Sequence, residues 1–212
     1  MNRLFVSKSN YVLRKILNKQ TSLEIIKDFI EAVLKLEIKQ IELHPYLDKI
    51  SKFLPQEDNF GIADVRILTK DNRELNVGIQ IIDGYYIQNK LLLYYAQIHG
   101  NQLEYENQDK EAETITINIL DFNYFSSKEY HKIIKVRENT SLGESAKDLE
   151  LHTIELKKFI KRKKSIENKE DAWIAYLEGS DNDLKQYAIN NYKSIKELDD
   201  LADRYWKDEK ME

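Results

Sequence analysis

The sequence contains no cysteine, and it has only 6 glycines and 2 prolines among its 212 residues. The absence of cysteine excludes a disulfide framework and thiolate metal sites, and it fits a reducing compartment. The scarcity of glycine and proline argues against long disordered linkers. No apolar run approaches the ~18 residues that a membrane-spanning helix needs, and the first residues lack the pattern of a secretory leader. We therefore expect a cytoplasmic protein with no membrane contact.

A surplus of positive charge is also missing. The chain has 33 basic and 37 acidic residues and a formal net charge of −4. Such a chain exerts no global attraction on nucleic acid, so any DNA contact has to come from a local basic patch. Apolar residues make up 42% of the sequence, which supports a globular domain with a real core.

Two segments in the first half alternate between apolar and polar residues. They are GIADVRILTK (61–70) and ELNVGIQII (74–82), and the turn signal DNR lies between them. The alternation predicts a β-hairpin whose paired residue numbers sum to about 144. This register sets Asp64 opposite Gln80, with Gly78 diagonal to Asp64 on the same face. Gly78 is unexpected there, because glycine inside a strand costs backbone entropy and packs against nothing.

The other periodic segments supply the elements around this hairpin. They predict helices at 11–18, 22–37 and 83–103, strands at 38–45 and 114–122, and an antiparallel pair from 130–139 and 149–159. The β-branched strand at 114–122 is expected to be buried on both faces. The second helix is expected to bury one apolar stripe, formed by Leu23, Ile26, Ile30, Val33 and Leu34. The composition changes after Phe159 and predicts two charged helices with a break near GSDND. We expect a main domain at 1–164 and a helical extension at 165–212. The extension is expected to make fewer core contacts than the main domain, and its removal is expected to leave the rest folded.

The order of helix, hairpin, buried helix and strand is that of the restriction-endonuclease-like core. The ordered series GIADVRILTKDNRELNVGIQ, LLLYYAQIHGNQL, ITINILDFNYF, YHKIIKVRE and LELHTIELKKF resembles the PD-(D/E)XK nuclease family transposases, also called recombination-promoting nucleases. The similarity covers about residues 10 to 160. It implies an α/β fold, with a mixed β-sheet flanked by helices and a helical C-terminal tail, and a family activity of metal-dependent DNA cleavage.

The resemblance assigns roles to residues of the hairpin. Asp64 matches the acid of the family's G-x-x-D segment, and Gln80 matches the glutamine of its E-x-Q triplet. Gly78 stands where that triplet has its glutamate. The family's acids hold Mg²⁺, so the resemblance implies that Asp64 alone would hold this ion weakly. The remaining departures from the family pattern are Asn10 for an aspartate, Lys90 for an arginine, Glu106 for a glycine, Asp109 for a tyrosine and Thr114 for a proline.

These departures leave three hypotheses about function. The first is a DNA endonuclease of the putative-transposase type with weak or lost cleavage, whose site another acid could complete. The second is a non-catalytic relative that binds DNA, a nuclease-fold partner or a second copy of itself, and the third is a decayed mobile-element product. On a purely structural interpretation, Gly78 is a bulge or packing glycine, and Asp64 is a surface acid paired with Arg66. The acids considered as replacements are Glu74, Asp83, Glu24, Asp28 and Glu31.

Basic residues are the candidates for DNA contact. The dense run KKFIKRKK spans 157–164, and it could bind a phosphate backbone or form a solvated junction between the two predicted units. The predicted DNA-binding residues are Arg66, Lys90, Lys161, Arg162, Lys163 and Lys164. His131 and His152 are predicted cross-strand neighbours, for which we expect ordinary packing or surface roles.

Overall fold

The computed structural model describes residues 16–17, 19–43, 61–82, 113–136, 149–162, 165–180 and 182–209. The strands in these ranges are β1 (Ile38–Leu43), β2 (Gly61–Thr69), β3 (Glu74–Ile82), β4 (Glu113–Leu120), β5 (His131–Val136) and β6 (Leu149–Glu155). The α-helices are α1 (Leu23–Leu34), α2 (Leu156–Arg162), α3 (Lys169–Glu178), α4 (Asp183–Asn191) and α5 (Lys193–Glu209). Most of the predicted helix at 11–18 and all of the one at 83–103 lie outside the described residues.

The six strands form one mixed sheet in the order β1-β2-β3-β4-β6-β5. Antiparallel pairs join β1 to β2, β2 to β3, and β5 to β6. Parallel pairs join β3 to β4 and β4 to β6. Strand β3 therefore lies inside the sheet with a hydrogen-bonded neighbour on each side. The predicted α/β class, a mixed sheet flanked by helices with a helical C-terminal tail, is confirmed.

The hydrophobic core lies on the face of the sheet formed by odd-numbered residues of β3 and β4. Ile79 and Ile119 point into the same apolar pocket as Ile26 of α1, Trp173 of α3 and Leu198 of α5. All five side chains are buried and belong to one hydrophobic cluster. Because side chains alternate along a strand, the even-numbered residues of β3 and β4 point to the opposite face.

The hairpin of β2 and β3 forms as predicted, but its register differs by two residues. Asp64 pairs directly with Gly78 rather than with Gln80, so the paired numbers sum to 142 and the turn is centred on Asp71. The turn includes Asn72 at a positive φ of 64°, which asparagine tolerates better than most residues. An error of two residues keeps every side chain on its predicted face, because the strand period is two.

Helix α1 follows the predicted apolar stripe. Four of the five predicted positions are buried, namely Leu23, Ile26, Ile30 and Val33. The fifth, Leu34, is partly buried at the end of the helix. The chain leaves α1 through Lys35 in the left-handed conformation. The carboxylate of Glu31 then accepts a 2.7 Å hydrogen bond from the backbone N–H of Ile38. This bond fixes the start of β1 against the end of the helix.

The second antiparallel pair also forms, but one of its strands is shorter than predicted. Strand β6 ends at Glu155, and the chain continues directly as helix α2. The prediction of a strand up to Phe159 is therefore wrong. Leu156 and Phe159, three residues apart, are both buried, which is the spacing of one helix face.

The segment after residue 165 is helical, as predicted, but it contains three helices instead of two. The predicted break occurs after α3, at Gly179, which has a positive φ of 80°. A second break occurs at Tyr192, which is extended and separates α4 from α5. Within the described ranges, no helix combines the length and apolar character needed to cross a membrane.

Helix α3 of the predicted extension packs closely against the rest of the protein. Every residue from Ala172 to Leu177 is buried, and Trp173 is only 1% exposed. The carboxylate of Asp28 on α1 accepts hydrogen bonds from the Trp173 indole at 2.9 Å and from Lys169 at 2.7 Å. Helix α3 is therefore part of the hydrophobic core. The division at residue 164 into two units, and the smaller number of core contacts expected for the extension as a whole, stay predictions.

Candidate functional site

Asp64 and Gly78 face each other across the centre of the β2–β3 ladder. They are direct partners, and the register is regular from Ala63 to Leu68. Directly opposed residues on one face have Cβ positions about 5 Å apart. Asp64 is only 8% exposed. The interpretation of Asp64 as a surface acid is therefore wrong.

Gly78 occupies a regular position on both of its ladders. It pairs with Asp64 on one side and with Thr116 on the other, and neither register shifts at this point. The register shift in β2 lies between Gly61 and Ala63, so Gly78 is not a bulge residue. Among the described glycines, only Gly179 has a positive φ. The backbone at residue 78 therefore has a conformation that any L-amino acid can adopt.

The face around Gly78 carries a row of buried polar side chains. Gln80 aligns with Asn118 on β4, and Asn118 aligns with Thr153 on β6. Asn76 aligns with Thr114 four residues earlier along the same strands, on the other side of the Gly78–Thr116 pair. The even-numbered face is thus polar at positions that are almost completely buried, namely Asn76, Gln80, Thr114, Thr116, Asn118 and Thr153.

Several amide atoms in this row lack a hydrogen-bond partner. Within the part of the chain that the structure describes, these atoms are both amide atoms of Asn76, Nε2 of Gln80 and Oδ1 of Asn118. The Nδ2 group of Asn118 is engaged, because it donates to Thr116 and to the backbone carbonyl of His152. A buried polar group without a partner costs about 1–3 kcal/mol. Residues that carry this cost on one face, beside a buried aspartate, mark this face as the candidate site.

The described acids that could replace a carboxylate at position 78 do not lie near it. Glu74 starts the same strand, about 13 Å away at ~3.3 Å per residue, and its carboxylate binds Arg66 at 2.9 Å. Glu24, Asp28 and Glu31 lie on α1, which packs against the odd-numbered face. Asp83 lies outside the described residues. Among the described acids, Asp64 is therefore the carboxylate that faces Gly78.

The basic run in α2 is divided between structural and exposed side chains. Lys158 is buried, and Arg162 donates to the carbonyl of Lys128 at 2.7 Å and pairs with Glu129 at 3.0 Å. Lys157 and Lys161 are exposed. Of the other predicted DNA-binding residues, Arg66 pairs with Glu74, and Lys90, Lys163 and Lys164 lie outside the described residues, as does Asn10. The run starts at β6, three strand spacings or roughly 14 Å from β2.

Glu155 binds the segment between β4 and β5 through hydrogen bonds. Its carboxylate is fully buried, accepts hydrogen bonds from the backbone N–H groups of Tyr124 and Phe125, and pairs with Lys158 at 2.6 Å. Lys158 also donates to the carbonyl of Phe125 at 2.6 Å. The sequence interpretation missed this cluster, because a glutamate at the end of an apolar strand resembles an ordinary surface residue.

Replacing Glu155 with alanine is expected to destabilise the protein by ~3 kcal/mol, because it leaves the buried ammonium of Lys158 without its anion. Urea unfolding followed by circular dichroism measures the change. Glu129→Ala is the matched control, since it removes a carboxylate from an exposed ion pair and should cost less than ~1 kcal/mol. Equal effects of the two substitutions would contradict the structural role of Glu155.

The polar row beside Gly78 was also missed, although a signal for it exists in the sequence. Strand β4 reads ETITINIL, in which the threonines and the asparagine occupy only even positions. The strand was correctly predicted to be buried on both faces. A polar residue at every second position of such a strand indicates that one of its buried faces is a site rather than a core.

One comparison with known proteins identifies a family for this chain. The family model described as PD-(D/E)XK nuclease family transposase matches residues 7–212. The match includes β2, β3, β4 and the helices after residue 165. No curated protein and no solved structure gives a significant match.

Proposed function

This chain belongs to the PD-(D/E)XK nuclease family transposases, and we propose that it acts on DNA as a member whose own cleavage is weak or lost. The observation that carries the proposal is the pairing of Gly78 with Asp64 on a regular, buried ladder. The family resemblance implies a glutamate at position 78. Its absence removes one of the two carboxylates that face each other across this hairpin.

Backbone geometry does not account for the glycine. Gly78 is neither a bulge nor a positive-φ residue, and glycine in a strand is unfavourable by roughly 0.5–1 kcal/mol relative to alanine. A larger residue is thus compatible with the local chain path. This supports the interpretation of Gly78 as the position of a lost functional side chain, in preference to a glycine that the turn or the sheet requires.

The residues present do not fit the divalent cation on which nucleases of this family depend. Magnesium prefers hard oxygen ligands and is usually bound by one or two carboxylates together with substrate phosphates. The neighbours of Gly78 supply one carboxylate, from Asp64, and otherwise neutral hydroxyl and amide groups from Thr116 and Gln80. Among the described residues, no group of three or more histidines, aspartates or glutamates is arranged to hold a metal ion.

The exposed lysines of α2 support a role in DNA binding. Lys157 and Lys161 lie four residues apart on one face of the helix and are both exposed. A protein that has lost cleavage can keep such contacts, because phosphate binding depends on charge rather than on the hairpin carboxylates. Assembly with a second copy or with a nuclease-fold partner remains the alternative role, and the cytoplasmic location remains a prediction.

The first test concerns the wild-type protein. We expect it to bind duplex DNA and to leave plasmid DNA essentially uncut in Mg²⁺ or Mn²⁺, with the same background rate after Asp64→Ala. Electrophoresis of plasmid DNA measures cleavage, and fluorescence anisotropy measures binding. Cleavage that is rapid and lost in Asp64→Ala would show that another acid completes the site. The absence of any DNA binding would favour the role in protein assembly.

The second test concerns the lysines. Replacing Lys157 and Lys161 together with alanine should weaken DNA binding and reduce the slope of log affinity against log salt by about 2, because each phosphate contact contributes about 0.9 to the slope. Lys193→Ala is the matched control, since the Lys193 side chain is 90% exposed on α5. An equal loss of affinity in the control would mean that binding depends on overall charge and not on α2.

A further inference from the structure

Four titratable side chains form a continuous chain of hydrogen bonds where α3 meets the edge of the sheet. Glu170 bonds to Nδ1 of His131 at 2.5 Å, and Nε2 of His131 bonds to Nδ1 of His152 at 2.8 Å. Nε2 of His152 then bonds to Glu150 at 2.8 Å. The chain runs from the first turn of α3 through β5 into β6.

The chain of four hydrogen-bonded side chains requires a defined number of protons. Both ends are carboxylates, which accept hydrogen bonds and do not donate them when ionised. Three hydrogen bonds therefore need three protons on the four ring nitrogens of His131 and His152. Two neutral imidazoles carry two protons between them. A complete chain thus contains one neutral ring and one imidazolium.

Burial determines which ring is charged. The His152 side chain is 2% exposed, and its burial, reinforced by the charge of His131, lowers the pKa of His152 to about 4. The positive charge therefore belongs on His131, which donates from both nitrogens. His152 then accepts at Nδ1 and donates from Nε2 to Glu150.

Other charged groups surround the chain on each element that packs against it. Lys135 on β5 pairs with Glu150 at 2.6 Å, and Lys35 at the end of α1 lies 3.7 Å from Glu170. Tyr130 donates to Asp171, the neighbour of Glu170 in α3, at 2.8 Å. The two lysines therefore lie beside the two glutamates at the ends of the hydrogen-bond chain.

We propose that the Glu170–His131–His152–Glu150 hydrogen-bond chain attaches helix α3 to the β5–β6 edge while only one of its two rings is an imidazolium, and that protonation of the second ring breaks this attachment. With both rings protonated, Nε2–H of His131 would face Nδ1–H of His152 at 2.8 Å. Two donors at that distance repel each other, and two buried charges lie side by side. The proton count, and not the packing alone, thereby decides whether the first turn of α3 stays attached to the sheet.

The direction of the pH effect follows from the lowered pKa of His152. An ordinary histidine in the unfolded chain takes up a proton near pH 6.5, whereas folded His152 does so only near pH 4. The stability that the neutral ring contributes is complete above pH 6.5 and is lost as the pH falls toward 4. Since each pKa unit is a factor of ten, this group should lower the folded-to-unfolded ratio by roughly a hundredfold between pH 7 and pH 4.

The wild-type protein allows a direct test by NMR. Long-range proton–nitrogen spectra of the imidazoles should show His152 as the neutral tautomer with hydrogen on Nε2 at pH 7, and its protonation only below about pH 5. Amide-exchange protection in α3 and β5 should fall over the same range before protection in β3 and β4 falls. Titration of His152 near pH 6.5, hydrogen on Nδ1, or a uniform loss of protection would overturn the proposal.

A substitution tests the same point independently. His152→Asn keeps an acceptor near the position of Nδ1 but cannot take up the second proton, so the variant should lose most of the acid sensitivity between pH 6.5 and 4 in urea unfolding. Wild-type acid sensitivity in a folded His152→Asn protein would overturn the proposal that protonation of His152 detaches α3. If that variant does not fold, the wild-type NMR titration decides.

Discussion

Replacing Gly78 with glutamate is expected to give a protein that binds Mg²⁺ and cuts plasmid DNA. The new carboxylate would stand across the ladder from Asp64, with Cβ positions about 5 Å apart. Two carboxylates on one face are the ligands that a Mg²⁺ site on a phosphate substrate uses. We expect cleavage at least about 100-fold above that of the wild type, which corresponds to ~2.7 kcal/mol of transition-state stabilisation.

Metal binding gives this prediction a measurement that does not depend on cleavage. Two adjacent carboxylates repel each other when no ion lies between them, so Gly78→Glu should melt below the wild type without metal and should gain stability when Mg²⁺ is added. The gain should reach ~2.7 kcal/mol at a metal concentration 100 times the dissociation constant. Thermal unfolding with and without Mg²⁺ measures it. The wild type should show no comparable shift.

Two matched variants separate the metal from simple space filling. Gly78→Gln introduces a side chain of the same shape without the charge, and it should show neither the Mg²⁺ response nor cleavage. Combining Gly78→Glu with Asp64→Ala should abolish both gains. A folded Gly78→Glu protein that neither binds Mg²⁺ nor cuts DNA would mean that more than one part of the site has been lost. Restoring an aspartate at Asn10 is then the next step.

A shortened chain that ends at Ser165 is expected not to fold. Removing α3 would expose the pocket formed by Ile26, Phe29, Ile79 and Ile119 on the odd-numbered face of the sheet. Deleting one buried large aromatic side chain costs about 3–5 kcal/mol, and six consecutive residues of α3 are buried here. The sum exceeds the total stability of ~5–15 kcal/mol that a domain of ordinary size has. This expectation replaces the one drawn from the sequence.

Circular dichroism and analytical gel filtration of the shortened chain measure the outcome. Trp173→Ala provides a graded version, which should destabilise the full chain by about 3–5 kcal/mol. Tyr187→Ala is its matched control, because Tyr187 is a large aromatic residue that is 49% exposed on α4. A shortened chain that is monomeric and unfolds cooperatively would support the predicted boundary at residue 164.

The predictions based on the spacing of apolar residues were correct, because this spacing depends only on residues close together in the sequence. Alternation placed Asp64, Gly78 and Gln80 on one face, and this assignment survived a register error of two residues because the strand period is two. The apolar stripe of α1 was correct because helical spacing depends only on neighbours three and four residues apart. The exact register depended on the turn, whose centre lies one residue earlier than the sequence suggested.

The predictions that failed depended on contacts between distant segments. The strand predicted to continue to Phe159 is interrupted by a helix whose buried face packs against other elements, and no local pattern records that packing. The charged appearance of α3 concealed its burial, because two of its acids, Glu170 and Asp171, are themselves buried and hydrogen-bonded. Alternation and composition describe a segment, whereas burial is a property of the whole fold.

The sequence by itself determined the elements of the hairpin and the shared face of Asp64 and Gly78, because both follow from residue identity and a strand period of two. The glutamate expected at position 78 is implied by the family resemblance and not by the period. Only the tertiary structure decided that the acids of α1 cannot reach that face, since α1 packs on the other side of the sheet. It alone brought Glu170 within hydrogen-bonding distance of His131, 39 residues away in the chain. Contacts over such separations depend on how helices and sheet pack, and this packing is set by the entire core at once.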